Sequence, residues 1–160
     1  MTDDKTNPTQ GPTHTSSLAE LSSLNSKELV LALKKMNIGQ KKVLALKGNV
    51  AMRKMLLRDP SVEVQLAVIN SPKTTESEIE RHAGLASTAE IVLKTISNNS
   101  RWMKSYRIKH ALAKNPKTPI GIASRCLRSL TKHDVKKIST DPNVRKPLAQ
   151  TAQRMLRSRR

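Results

Sequence analysis

Apolar residues recur along this chain at the three- and four-residue spacing of amphipathic helices, in short runs separated by polar residues and prolines. In the segment 119–129, Ile120, Ala123 and Leu127 form one stripe, and the arginines of the same segment face away from it. A helix with a single apolar stripe must cover that stripe with a neighbour. The pattern therefore predicts an all-α protein built from short helices that pack against one another.

Helix start and stop signals divide residues 18–156 into these short helices. The capping-box patterns Ser17-Leu-Ala-Glu20 and Thr75-Glu-Ser-Glu78 predict two helix starts. Thr118-Pro119 predicts a third, with the threonine as N-cap and the proline in the first helical position. Breaks between helices are predicted near Pro60, Pro72, Ser100, Pro116 and Pro142.

The chain also contains an internal repeat. Residues 65–75 (QLAVINSPKTT) align with residues 109–119 (KHALAKNPKTP) at an offset of 44 positions. A period of this length is typical of HEAT-like and armadillo-like helical repeats, which span roughly 40–47 residues. We therefore expect three parts: a disordered polar tail over 1–17, an N-terminal helical cap or degenerate repeat over 18–58, and helical repeats over 59–160.

The stretch Asp59-Pro-Ser-Val-Glu-Val-Gln-Leu-Ala-Val-Ile-Asn-Ser-Pro-Lys-Thr74 resembles the bacterial variant leucine-rich repeat, a relative of HEAT repeats. Residues 111–119 and 140–145 match pieces of the same pattern, although Pro116 and Pro142 are 26 residues apart rather than twelve. The resemblance implies a short right-handed α-solenoid used for binding, with no particular partner. One known member carries an iron–sulfur cluster, which the single cysteine of this chain excludes here.

Positive charge is concentrated at one end of the chain. The formal net charge is +18, and residues 101–160 hold seventeen lysines and arginines against only Asp134 and Asp141. Residues 18–100 hold twelve basic and eight acidic side chains, which is an ordinary mixed-charge surface. A localised positive field attracts anionic partners and speeds their association. The C-terminal third is therefore the predicted binding region.

Charges on the equivalent helices of a solenoid merge into a ridge or groove, which can hold a phosphate backbone whatever its sequence. The residues predicted to bind nucleic acid, either RNA or DNA, are Arg107, Lys109, Lys114, Arg125, Arg128, Lys132, Lys136, Lys137, Arg145, Lys146, Arg154, Arg157, Arg159 and Arg160. The alternative is a protein–protein adaptor whose basic face binds an acidic partner. A third hypothesis is peripheral association with anionic membrane, but no bulky apolar stripe lies opposite the arginines.

Trp102 and Tyr106 are the only aromatic residues, and they lie one turn apart in a predicted helix over 101–114. Two such rings could form a stacking platform for unpaired bases, or they could fill a junction between repeats. The chain has few large side chains for its core, so we expect Trp102 to be a packing residue. Tyr106 precedes Arg107 and is expected to be exposed, with a possible stacking role.

The sequence offers little for catalysis. His82 follows Glu78 by four residues and is interpreted as half of a surface pair, and Cys126 is interpreted as a buried filler. No glycine-rich loop, paired carboxylates or metal-ligand spacing is found, so we predict a non-enzymatic protein without cofactor or metal. A polar N-terminus and the lack of a long apolar run favour a cytoplasmic protein.

Overall fold

The computed structural model describes residues 17–158. Within this range the chain forms eleven α-helices and one 3₁₀ turn (Trp102–Lys104), with no β-strand, so the all-α prediction is confirmed. The helices are α1 (Leu18–Ser23), α2 (Ser26–Lys35), α3 (Ile38–Lys47), α4 (Val50–Leu56), α5 (Val62–Ile69), α6 (Glu76–Gly84), α7 (Glu90–Asn98), α8 (Tyr106–Lys114), α9 (Ile120–Arg128), α10 (Lys132–Thr140) and α11 (Lys146–Ser158). The predicted tail over residues 1–16 lies outside the described residues.

Helix starts follow the predicted capping signals in most cases. The side chains of Ser17 and Thr75 each accept a hydrogen bond from the backbone N–H three residues on, and both capping boxes are complete. The prediction for Thr118 is wrong, because Pro119 occupies the N-cap position and Thr118 is buried in the preceding turn. The helix predicted over 101–114 is also wrong in extent: the 3₁₀ turn comes first, and α8 begins after Ser105, whose hydroxyl caps it.

The predicted breaks at the prolines and at Ser100 all separate helices in the structure. At three of these breaks the chain makes the same turn. A side-chain oxygen of the residue before the proline accepts a hydrogen bond from the backbone N–H two residues later in the chain. The accepting residues are Asp59, Asn115 and Asp141, each at an N–O distance of 2.9 Å. An aspartate or asparagine can make this local bond, and the proline following it cannot continue a helix. The recurring Asp-Pro and Asn-Pro pairs of the sequence therefore have a common structural cause.

Many helices pack against the next helix along the chain, and several pack against the helix after that. The first kind of contact joins α8 to α9 and α10 to α11; the second joins α3 to α5, α5 to α7, α6 to α8 and α9 to α11. The 44-residue offset found in the sequence instead relates α5 to α8, which are three helices apart. The helices that contact each other are thus one or two helices apart along the chain, whereas the sequence repeat spans three helices.

The core is aliphatic along the described chain. Its fully buried side chains are chiefly leucine, isoleucine, valine, alanine and methionine, contributed by one stripe of each helix. Trp102, which is 3% exposed, adds the one large aromatic side chain where the 3₁₀ turn contacts α7 and α8. Cys126 is buried, as predicted. The packed side of the helices is therefore mainly apolar, and most charged residues lie on the outside; Arg53 and Glu78 are buried exceptions.

Candidate nucleic-acid interface

The predicted basic residues lie on the last four helices and on the turn before α11. Arg107, Lys109 and Lys114 belong to α8; Arg125 and Arg128 belong to α9. Helix α10 carries three lysines, Arg145 immediately precedes α11, and α11 contributes Lys146, Arg154 and Arg157. Arg159 and Arg160 lie outside the described residues.

Among these side chains, four contact another element of the fold, and Arg154 donates to the Thr151 hydroxyl of its own helix at 3.4 Å. Arg107 lies 3.9 Å from the Glu80 carboxylate, and Lys114 pairs with Asp141 at 3.0 Å. Arg125 donates to the backbone carbonyl of Ser97 at 3.5 Å, and Arg145 donates to that of Thr118. These bonds tie α8 to α6, α9 to α7, and the start of α11 to the turn before α9. All four are among the residues predicted to bind nucleic acid, and the structure gives them contacts between elements.

The remaining cations concentrate on α10 and α11. We call the exposed side chains Lys132, Lys136, Lys137, Lys146, Arg154 and Arg157 the C-terminal basic surface. None of the six forms an ion pair within residues 17–158. On each helix they fall within an arc of about 140° or less, given 100° per residue. The buried stripes opposite, which include Ile138 and Leu148, hold the two helices together.

The acidic residues of this region do not neutralise that surface. The Tyr106 hydroxyl donates to the Asp134 carboxylate, and this hydrogen bond holds the pKa of Asp134 below its usual value. The Asp141 carboxylate accepts the Asn143 backbone N–H and pairs with Lys114, which also lowers its pKa. Asp134 thus joins α10 to α8, and Asp141 joins its own turn to α8. The six cations keep their charge available to a ligand.

The two aromatic rings differ in exposure, as expected from the sequence. Trp102 is buried, with the Arg101 guanidinium 4.3 Å from its ring centroid, so its packing role is confirmed. Tyr106 is 38% exposed and borders a cleft of about 180 Å³ with Glu80, Arg107, His110 and Asp134. Because its hydroxyl is hydrogen bonded to α10, the ring is held in place. A stacking role for Tyr106 stays a prediction.

The interpretation of Glu78 and His82 as a surface pair is wrong. Glu78 is 8% exposed and bonds Arg53 of α4 through both oxygens, with Nε–Oε1 at 3.0 Å and Nη2–Oε2 at 3.2 Å. Burial raises the pKa of Glu78, but the hydrogen bonds from Arg53 and Thr75 outweigh it and the pKa is lowered. Sequence alone does not point to Arg53, because no local pattern relates residues 25 positions apart.

His82 is buried instead, with 1% of its surface exposed. Neither ring nitrogen has a hydrogen-bond partner among residues 17–158, and desolvation lowers the pKa of the imidazole to about 4. The ring borders a small, partly open cavity of about 20 Å³ between α4 and α6. One sequence signal points to its burial: His82 falls in the same stripe of α6 as Ile79 and Ala83.

We expect this histidine to make the protein less stable as the pH falls. The unfolded imidazole takes up a proton below about pH 6.5, whereas the folded one does so only near pH 4, so the unfolded state binds more protons in that window. The free energy of unfolding should fall by about 3 kcal/mol between those limits, as measured by urea denaturation. His82→Leu should remove this part of the pH dependence. An unchanged profile in that variant would contradict the assignment.

The described residues hold no assembly of three or more histidine, cysteine, aspartate or glutamate side chains that could ligate a metal. Burial raises the pKa of the Cys126 thiol, while the Arg125 and Lys109 charges oppose that effect. The thiol is therefore a poor nucleophile in its buried position. Within residues 17–158, no helix is both long and apolar enough to cross a membrane.

Comparison with protein-family models, with curated proteins and with solved structures gave no match to this chain.

Proposed function

We propose that this protein binds nucleic acid without catalysing a reaction, and that it holds the phosphate backbone on the C-terminal basic surface. The observation that carries the proposal is the set of six exposed cations on α10 and α11, none of them in an ion pair within the described chain. Cations outside ion pairs need no salt bridge to be broken before they meet a phosphate, and Arg154 gives up only a 3.4 Å hydrogen bond to the Thr151 hydroxyl. Each phosphate contact also releases counterions, which favours binding.

The shape that we propose is a short right-handed α-solenoid of HEAT-like repeats, related to the variant leucine-rich repeats. Contacts between helices two apart support it, because stacked helix pairs make such contacts. In this arrangement α8 and α10 would be neighbours in one layer, as the bond from Tyr106 to Asp134 suggests. The C-terminal basic surface would then border the exposed ring of Tyr106, where an unpaired base could stack.

Neutralising four residues of the surface tests the proposal. In the variant Lys132→Gln, Lys136→Gln, Lys137→Gln and Arg154→Gln, affinity for a mixed-sequence single-stranded oligonucleotide should fall about tenfold or more at low salt. The slope of log K against log salt concentration should become shallower by about 3, since each single-strand phosphate contact contributes roughly 0.7. Fluorescence anisotropy at several salt concentrations measures both quantities.

The matched control removes the same charge from the other end of the protein. Lys27, Lys34, Lys35 and Lys47 are exposed on α2 and α3, and their replacement by glutamine should leave the slope nearly unchanged. Equal losses in the two variants would show that net charge alone attracts the oligonucleotide. Tight binding of an acidic polypeptide such as polyglutamate, with no oligonucleotide binding, would favour the adaptor function instead.

A further inference from the structure

The buried imidazole of His82 borders a cavity whose surroundings are unusually basic. Lys54, Leu57 and Arg58, from α4 and the residues that follow it, line one side. Glu78, Arg81 and His82 of α6, with Leu85 after it, line the other. Lys54, Arg58 and Arg81 are exposed and make no ion pair within residues 17–158. Three free cations thus surround one small opening.

The only anion of the cavity wall is already neutralised. Both oxygens of Glu78 accept hydrogen bonds from Arg53, and Oε2 also accepts the backbone N–H and the hydroxyl of Thr75. The Glu78 carboxylate therefore does not require an ion pair with Lys54, Arg58 or Arg81. The charge left over at the cavity is positive, and it lies at the mouth, beside the apolar side chains of Leu57 and Leu85.

The unpartnered histidine supplies the second, independent observation. A buried imidazole is normally hydrogen bonded, because leaving its polar atoms without partners is costly. Both nitrogens of His82 lack a partner within the described chain, and the neutral ring carries one N–H donor. A cavity of about 20 Å³ is large enough for one water molecule or one oxygen of a larger group, but not for a whole oxyanion.

We propose that this cavity is a phosphate-binding site, in which one phosphate oxygen enters and accepts a hydrogen bond from His82 once the ring, whose nitrogens are covered in the structure, turns toward the opening. The other oxygens stay at the mouth, among Lys54, Arg58 and Arg81. The site lies outside the C-terminal basic surface, and it does not depend on the proposed nucleic-acid binding. Its phosphate could belong to a nucleic-acid backbone or to a free phosphate, and the chemistry of recognition is the same for both.

The test follows the His82 ring in the full chain by NMR, with its resonances assigned by their loss in His82→Leu. Addition of inorganic phosphate, at constant ionic strength set with chloride, should shift these resonances and reach saturation. In the variant Lys54→Gln, Arg58→Gln and Arg81→Gln the affinity should fall about tenfold or more, because hydrogen bonds to charged groups are lost. The control Lys27→Gln, Lys34→Gln and Lys35→Gln removes equal charge and should bind within about twofold of the parent.

Two titrations distinguish a phosphate of a nucleic-acid backbone from a free phosphate. If a mixed-sequence oligonucleotide also saturates the His82 shift and inorganic phosphate competes with it, the site holds a backbone phosphate. If inorganic phosphate alone moves the resonances, the site serves a free phosphate. The absence of any saturable shift, or an equal loss of affinity in the control, would overturn the proposal and leave a water molecule in the cavity. Oligonucleotide binding by the glutamine variant of the C-terminal basic surface is measured in a separate experiment. The nucleic-acid proposal and the phosphate-site proposal can therefore be contradicted independently.

Discussion

Replacing Arg53 by methionine should lower the free energy of unfolding by about 3–5 kcal/mol, because it leaves the charge of Glu78 buried without a cation. Arg53 is 3% exposed and makes three hydrogen bonds to two partners: its Nε and Nη2 bond the Glu78 carboxylate, and its Nη1 donates to the carbonyl of Gly48 at 2.9 Å. The Gly48 carbonyl would lose this bond as well. Urea denaturation at neutral pH measures the loss.

A second variant separates the effect of leaving the Glu78 charge unpaired from the effect of losing the packing of the Arg53 side chain. In Arg53→Met with Glu78→Gln, the amide still accepts from Thr75 and keeps the cap of α6, but no charge is buried. We expect this double variant to be more stable than Arg53→Met alone. The control is Lys42→Met, which breaks an exposed pair with Glu63 at 3.4 Å and should cost less than about 1 kcal/mol. Equal losses at positions 42 and 53 would contradict this account.

Most of the fold follows from local sequence signals. The period of the apolar residues predicts helices, and the proline breaks occur because an aspartate or asparagine before the proline forms the same turn each time. Local signals failed where a tertiary contact decided the geometry. The chain before α9 is held by Arg145, which donates to the Thr118 carbonyl from 27 residues away, and Thr118 does not cap the helix.

For the candidate sites, too, the sequence alone does not show which side chains meet in the folded chain. The excess of lysine and arginine in the last third is visible in the sequence, but which of these side chains have partners is not. Lys114 and Lys136 are both helical lysines of that region, yet within residues 17–158 only Lys114 forms an ion pair, because the turn before α11 brings Asp141 to it. His82 was missed for a related reason: a nearby glutamate suggested a local pair, whereas Glu78 bonds a distant arginine.

Trp102→Ala should be the other strongly destabilising substitution, with a loss of about 3–5 kcal/mol in the free energy of unfolding. The ring is buried where the 3₁₀ turn contacts α7 and α8, and its removal leaves a cavity that aliphatic neighbours cannot close. The Arg101 guanidinium would also lose the ring that it covers, a contact worth about 0.5–1 kcal/mol. Thermal and urea denaturation should both report the loss.

The comparison with two neighbouring variants makes this prediction specific. Trp102→Phe keeps most of the buried surface and removes an indole N–H that has no hydrogen-bond partner in the described part of the chain, so it should cost much less than Trp102→Ala. Tyr106→Ala removes a ring that is 38% exposed, and it should also cost less. Because a buried ring cannot stack on a base, folded Trp102→Ala protein should bind single-stranded oligonucleotides as the parent does. A selective loss of single-strand affinity in that variant would mean that the ring becomes exposed to meet the ligand.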